Sequence, residues 1–438
     1  MLRFMIVDLR RNWGGAMVML LLVALAVALG IGINLQERAL RLGSARAAEK
    51  FDLVIGAPGS ETQLVLSTVF LQISALPLVS GDVLAELQND PRVAWAAPVG
   101  FGDFHEGHPV VGTTTRLIKE TSQGLAEGRL FAREGEAVIG AQVALDLGAS
   151  ITPSHGQIDQ GGHDHDGVRY TVSGRLKPTG TAWDRAILVP IRSVWNVHGM
   201  SIVQHADHAH ENDHDHHHEH EHEHEHEHEH EHEHEHEHEH EHAAFDGDTP
   251  LDENFRAAGT PELPAILVKP ATISDAYKLR QAYRGGPGTL AVFPAEVLTG
   301  IYALLGDARQ VLSAVAIGVQ LLVAVALVLV TVIHIGQRRA QIAALRAFGA
   351  PRGAVFALVW GELVIVLFAG ILLGFAVGWL GAQQMSTLVS ARQGFALPLE
   401  WTRTEALSLA TLLAVSAALA ALPALMAYRQ PAVSRLEG

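Results

Sequence analysis

The chain has 438 residues, no cysteine and a formal net charge of −16. The acidity is local, because residues 205–242 contain 16 acidic residues and no Lys or Arg, whereas the remainder has 31 acidic and 31 basic residues. These counts exclude a globally acidic binding protein, a disulfide-stabilised scaffold and any site that needs a cysteine thiolate.

Four long apolar stretches predict an α-helical integral membrane protein with four transmembrane helices. A helix of about 20 apolar residues crosses the hydrocarbon core of a bilayer. The predicted spans are residues 14–34, 310–335, 353–380 and 406–428. A signal peptide is the alternative interpretation of the first stretch, but its apolar part is longer than a signal sequence requires.

The arginines indicate the orientation of these spans. They cluster before the first span and between the second and third spans, at Arg3, Arg10, Arg11, Arg338, Arg339, Arg346 and Arg352. Since such residues favour the cytoplasmic side, we expect the segments 1–13, 336–352 and 429–438 in the cytoplasm. The segments 35–309 and 381–405 then lie in the periplasm. The prediction is a multi-pass protein of the bacterial inner (plasma) membrane with both termini cytoplasmic.

The segment 35–309 is predicted to form a large extracytoplasmic α+β domain. Residues 168–176, 186–191 and 265–270 have the composition of strands. Residues 80–90 are typical of a helix that begins near Ser80 or Asp82.

Two helices are expected to join this domain to the membrane. Residues 35–50 are rich in helix formers and would extend the first span as a stalk, and residues 295–309 would lead into the second span.

The Gly/Pro-rich turn within 56–74 could begin a ligand-binding loop, but a turn into a core helix is favoured. No phosphate-binding GxxxxGK[ST] motif occurs in the chain.

The segment 336–351 reads GQRRAQIAALRAFGAP and predicts a short amphipathic helix. Ile342, Leu345 and Phe348 recur every third residue and form one apolar stripe. Gly349 and Pro351 would end the helix. Such a helix, parallel to the membrane, could contact a cytoplasmic motor; an interfacial turn is the alternative.

This stretch resembles the coupling-helix signature of the MacB/LolC/FtsX-like ABC transporter permeases. That signature is Arg-x-x-Glu-Ile-x-x-Leu-Arg-Ala, then a hydrophobic residue and Gly-Ala, and Gln341 stands where the family usually has Glu. The C-terminal YRQPAVSRLEG resembles the closing Arg-x-x-Pro-x-x-x-Leu of the family. The order of one span, a large outer domain and three spans is also similar.

The resemblance implies a permease subunit that pairs with a separate ATP-binding cassette subunit, as a permease homodimer or heterodimer. It implies that ATP-driven motion reaches the periplasmic domain and that this chain has no catalytic residue. The ATPase-coupling residues that it implies are Arg338, Arg339, Gln341, Ile342, Leu345, Arg346, Phe348 and Gly349. We expect membrane lipid around the spans and no nucleic acid.

Two other functions stay open on the sequence. A regulatory transmembrane protein could activate a periplasmic partner, such as a cell-wall hydrolase, without transporting a substrate. A passive metal-binding protein without a motor is the third hypothesis.

Residues 205–242 contain 19 of the 26 histidines, and Glu and His alternate strictly from Glu219 to His242. This segment has no apolar face and predicts a disordered His/Glu-rich loop. Because imidazole is a common ligand of Zn²⁺, Ni²⁺ and Cu²⁺, we expect many exchangeable metal sites, zinc first, and no tightly bound cofactor. The predicted ligands in this segment are His205, His208, His210, His214, His216, His217, His218, His220 and His222.

Other interpretations of the histidines are a solvated linker and a pH sensor. An HExxH match such as 218–222 arises from any His-Glu alternation and is a weak indication of a protease. The turn GGHDHDG adds His163 and His165 as predicted ligands, with His155 nearby. His105 and His108 flank another Gly, and each of these loops could be a plain surface loop.

Two ionisable residues fall within predicted spans. Glu362 is an intramembrane polar residue, which is either functional or bonded to a neighbouring helix. His334 is expected near the cytoplasmic interface rather than at a metal.

Overall fold

The computed structural model describes residues 13–155, 163–164, 167–200, 245–286, 288–303, 314, 317–318, 321, 325 and 351–428. The chain divides into two compact units. The helical unit comprises Met1–Lys50, Gly180–Trp183 and Pro294–Gly438, and the sheet unit comprises Phe51–Thr179 and Asp184–Phe293.

The helices of the described residues, in chain order, are α1 (Trp13–Ala48), α2 (Glu61–Val69), α3 (Gly81–Asn89), α4 (Thr115–Thr121), α5 (Ile191–Val197), α6 (Ile273–Arg284), α7 (Arg352–Gln393) and α8 (Arg403–Tyr428). The strands are β1 (Leu53–Gly56), β2 (Val93–His105), β3 (His108–Thr113), β4 (Leu125–Gly128), β5 (Glu136–Ile139), β6 (Ser150–Ile151), β7 (Ser154–His155), β8 (His163–Asp164), β9 (Tyr170–Leu176), β10 (Ile187–Pro190), β11 (Ala265–Pro270) and β12 (Leu290–Val292). Residues 294–303 are also helical.

Two helical stretches of the described residues are long and apolar enough to cross a membrane, Trp13–Ala48 and Gly353–Ala391. They contain the first and third predicted spans. The fourth predicted span lies in α8, whose described apolar stretch, Ala406–Leu422, is shorter. Nearly all of the second predicted span, 310–335, lies outside the described residues, so the number of four spans stays a prediction.

Helix α7 is longer than the span predicted at 353–380. It continues to Gln393, and Gly394 ends it in the left-handed conformation, with a φ of 79°. The connection to α8 is therefore residues 394–402, which is shorter than the predicted loop 381–405.

Glycines bring α1 and α7 into close contact within the helical unit. Gly370, Gly374 and Gly378 are spaced by four residues and lie on one face of α7. A Cβ atom on Gly374 would lie 2.8 Å from Cβ of Val27, and one on Gly378 would lie 2.8 Å from the carbonyl oxygen of Ala28. Small residues at this spacing allow membrane helices to pack backbone against backbone.

Helix α1 is continuous through Ala48, so residues 35–48 are helical, as expected of a stalk. Arg38 Nη1 donates to Thr402 Oγ1 at 2.9 Å, and Arg46 pairs with Glu400 at 2.7 Å. These contacts join the carboxy-terminal part of α1 to the connection between α7 and α8.

The twelve strands of the described residues form one sheet with the main order β12-β1-β11-β2-β3-β10-β5-β9-β4. The pairs β3–β10 and β5–β9 are parallel, and the others are antiparallel. Strands β9, β10 and β11 confirm the three predicted strands. Helix α3 confirms the predicted helix, with Ser80 Oγ accepting from the backbone N–H of Asp82.

The turn within 56–74 leads into a core helix, as favoured. Ser60 caps α2 by accepting from the N–H of Gln63, and Leu64 and Val65 of this helix are buried. The helices and the sheet together form the large mixed domain that the sequence predicted.

Candidate metal centre

Three side chains of the sheet unit lie close enough together to hold a metal ion. They form the one such group among the described residues. They are Asp103, His155 and His198, and their ligand atoms lie within 4.8 Å of one another. Asp103 belongs to β2, His155 belongs to β7, and His198 directly follows α5. The group therefore joins three elements that are far apart in the sequence.

A bulge in β2 precedes Asp103. The register with β3 shifts between Phe101, which pairs with Val111, and Asp103, which pairs with Val110, so that Gly102 is an additional residue. Such bulges reorient the side chains beside them. Asp103 is only 4% exposed, so its carboxylate is almost removed from water.

Strand β7 brings His155 to this carboxylate. In the antiparallel register of β2 and β7, His155 lies directly opposite Asp103. Ser154 Oγ donates to the carbonyl oxygen of Phe104 at 3.1 Å and fixes the strand beside β2.

Two glycines allow α5 to approach the sheet and position His198. Gly100 of β2 and Gly112 of β3 are paired in register. A Cβ atom on Gly112 would lie 2.5 Å from Val194 Cγ2, and one on Gly100 would lie 2.7 Å from Ile191 Cδ1. The absence of these two side chains therefore sets how close α5, and His198 at its end, lies to β2.

Both histidines face one oxygen of the carboxylate. Asp103 Oδ1 lies 3.4 Å from His155 Nδ1 and 3.6 Å from His198 Nε2. His198 Nδ1 lies 2.8 Å from the carbonyl oxygen of Val194. Because a carbonyl only accepts, Nδ1 carries a proton and Nε2 is the atom directed at Asp103. The neighbouring carboxylate of Asp103 raises the pKa of His198 above its ordinary value.

Among the other histidines of the sequence analysis, His105 and His108 are not in this group, and the structure gives only the backbone position of His163. His163 of β8 is opposite His155 in the register of β7 and β8. His105 Nδ1 lies 2.8 Å from the carbonyl oxygen of Thr152, and His108 Nδ1 lies 3.0 Å from that of Arg185. Burial lowers the pKa of His108. The predicted ligands that lie outside the described residues are His165, His205, His208, His210, His214, His216, His217, His218, His220 and His222.

The predicted coupling segment also lies outside the described residues, namely Arg338, Arg339, Gln341, Ile342, Leu345, Arg346, Phe348 and Gly349.

The predicted intramembrane residue Glu362 is buried in α7, with 7% of its surface exposed. Near it, Trp360 Nε1 donates to the carbonyl oxygen of Ala417 in α8 at 2.9 Å. A role for Glu362 stays a prediction.

Sequence reasoning missed Asp103 and His198. Asp103 carries a weak signal, because an acidic residue in the apolar strand GFGDF is unusual for a buried strand. His198 has an even weaker signal in the sequence, because a single histidine at the end of a helix is an ordinary feature.

Comparisons with known proteins find a family match in the carboxy-terminal part of the chain. Residues 313–432 match a family model described as FtsX-like permease C-terminal. No curated protein sequence matches the chain. The periplasmic region of MacB from Actinobacillus actinomycetemcomitans has 11% identity and a TM-score of 0.32, covering 60% of this chain and 98% of that one. The extracellular domain of the ABC-type transporter YknZ from Gram-positive bacteria has 10% identity and a TM-score of 0.28, covering 55% and 98%.

Proposed function

We propose that this chain, whose residues 313–432 match the FtsX-like permease C-terminal family model, is the permease subunit of an ABC transporter of the MacB/FtsX type. The family match is the observation that carries the proposal. ATP is bound and hydrolysed by a separate subunit, in keeping with the lack of a GxxxxGK[ST] motif in this sequence. The segment 336–352 is the contact for that subunit.

The short connections between the helices and the strands support the transmission of motion from the helical unit to the sheet unit. Helix α1 ends at Ala48 and β1 begins at Leu53, while β12 ends at Val292 and the next helix begins at residue 294. Short connections of this kind transmit a helix displacement better than a flexible linker does. The close packing of α1 on α7 makes these two helices move together.

The proposal places the protein in the bacterial inner membrane with the sheet unit in the periplasm. It acts there as a permease homodimer or heterodimer, surrounded by lipid, with both termini in the cytoplasm. A link to zinc or another transition metal is supported by the 19 histidines of residues 205–242 and by the cluster of Asp103, His155 and His198.

The test is capture of the full-length protein from the membranes of its own cells, with identification of what is bound. We expect an ATP-binding cassette protein in a stoichiometric amount. A matched capture of the protein carrying Arg338→Ala, Arg339→Ala and Arg346→Ala should retain less of it. Capture without any ATP-binding protein would contradict the proposal.

A further inference from the structure

We propose that Asp103, His155 and His198 bind one divalent transition-metal ion, and that Zn²⁺ is the ion that fits best. The site offers two imidazole nitrogens and one carboxylate oxygen. Zinc and the neighbouring transition metals accept this donor set, whereas Mg²⁺ and Ca²⁺ prefer oxygen donors alone. The inference deepens the metal-linked part of the proposed function, but binding at this site needs no partner ATPase.

Two of the three distances between the donor atoms fit a tetrahedral ion, and the third is within 4.8 Å. Zinc bonds of about 2.0–2.2 Å place neighbouring donors of a tetrahedron about 3.3–3.6 Å apart. The two distances from Asp103 Oδ1, 3.4 Å to His155 Nδ1 and 3.6 Å to His198 Nε2, lie in this range. An octahedral ion with bonds of about 2.1 Å requires neighbouring donors about 3.0 Å apart, which is closer than these atoms are.

The surroundings of the donors match those of metal ligands. A histidine that binds a metal usually donates its other ring N–H to a carbonyl or carboxylate, which fixes the ring. His198 has this arrangement, with Nδ1 2.8 Å from the carbonyl oxygen of Val194. Asp103 brings a negative charge into a site where it is 4% exposed, and a bound cation stabilises a charge removed from water.

One side of the site is open to solvent. The side chain of His155 is 64% exposed and that of His198 is 24% exposed, so an ion can enter without unfolding the sheet. Three protein ligands leave a fourth tetrahedral position for water or another donor, unlike a closed structural zinc site. A bound ion joins β2, β7 and the end of α5.

The experiment uses the full-length chain with only residues 205–242 deleted, because the histidines of that segment would compete for the metal. The protein is purified in detergent, stripped of metal and titrated with Zn²⁺ against a chromogenic chelator. We expect one equivalent of zinc to bind and excess Mg²⁺ not to displace it. Co²⁺ in place of zinc should give the visible absorption of a tetrahedral ion.

Three variants, Asp103→Asn, His155→Ala and His198→Ala, should each weaken zinc binding at least about tenfold, since loss of even an outer partner of a ligand costs this much. The matched control is His108→Gln, whose imidazole contacts the carbonyl oxygen of Arg185 and is not in the group. It should bind zinc like the parent protein.

The inference would be overturned if the parent protein bound no zinc. It would also be overturned if the three ligand variants bound zinc with the same affinity as the control. Thermal unfolding without metal shows whether each variant folds. His155→Ala removes an exposed side chain and keeps the test decisive if the buried Asp103 variant does not fold. Zinc binding is measured on this chain alone, so its failure is distinct from a failure to find an ATPase.

Discussion

Residues without functional groups determine the spacing of Asp103, His155 and His198 in the candidate metal centre. The ligands come from β2, β7 and the end of α5, and their spacing depends on how closely α5 lies against the sheet. Gly112 sets this distance, because the space of its missing side chain is taken by Val194 and Ile191. The site is thus sensitive to a position that binds no metal itself.

We expect Gly112→Val to destabilise the sheet unit by about 1–3 kcal/mol and to weaken zinc binding, because overpacking would displace α5. The added Cβ atom would lie 2.5 Å from Val194 Cγ2 and 3.2 Å from Cα of Ile191. Gly285→Val is the matched control, since Gly285 lies at the end of α6, away from the three ligands, and a Cβ atom there meets nothing within 4 Å. Thermal unfolding and zinc titration of both variants check the prediction, which equal effects at the two positions would refute.

A second residue-scale prediction concerns pH. The guanidinium of Arg129 holds the pKa of Glu136 below its ordinary value of 4.5, with Arg129 Nη1 2.7 Å from Glu136 Oε2. A lowered carboxyl pKa means that the pair stabilises the fold fully above that ordinary value and less as the pH falls through the lowered pKa. We expect Glu136→Gln to cost about 1 kcal/mol at neutral pH, a modest value because Arg129 is 60% exposed and screened by solvent.

The same unfolding measurement in acid should show the difference between Glu136→Gln and the parent protein shrinking towards zero. Glu120→Gln is the control, because Glu120 and Arg116 form an exposed pair within one helix, which contributes little to stability. A difference for Glu136→Gln that stays constant with pH would show that the charge of Glu136 is not the cause.

Among the elements, those with a local signal could be predicted and those defined by distant pairing could not. The alternating strand β9 and the capped helix α3 are visible in the sequence because their own residues carry the pattern. Strands β6, β7 and β8 have two residues each, which is too few to show an alternating pattern in the sequence. The centre was missed for the same reason, since Asp103 meets His155 only through the pairing of β2 with β7.

The packing of α1 on α7 gives the prediction at the scale of elements. Gly374→Val should separate the two helices and lower the thermal stability of the protein in detergent, because the new side chain would overlap Val27 and Ala24. Gly381→Val is the matched control in the same helix, since a Cβ atom there meets nothing within 4 Å. Equal melting temperatures for the two variants would show that this glycine face does not hold the helices together.

The whole molecule combines a membrane part that carries the family match with a mixed domain that carries the candidate metal centre. The resemblance noted in residues 336–351 lay in sequence motifs, and the match of residues 313–432 to the FtsX-like permease C-terminal model agrees with it. The metal ligands predicted at 205–222 depend on composition alone and stay predictions. The net charge of −16 likewise comes from residues 205–242 and is no property of the remaining chain.

The central claim, a permease that works with a separate ATPase, is tested most directly by ATP hydrolysis with the permease in lipid nanodiscs, where the same excess of the captured ATP-binding protein is added to each variant. With Arg338→Ala, Arg339→Ala and Arg346→Ala together, we predict that the rate of ATP hydrolysis falls at least about fivefold. A fivefold change is the lower end of typical coupling between two sites. Arg403→Ala, at the start of α8 and outside the predicted coupling segment, should leave the rate unchanged. An equal rate in the triple variant and this control would contradict the account.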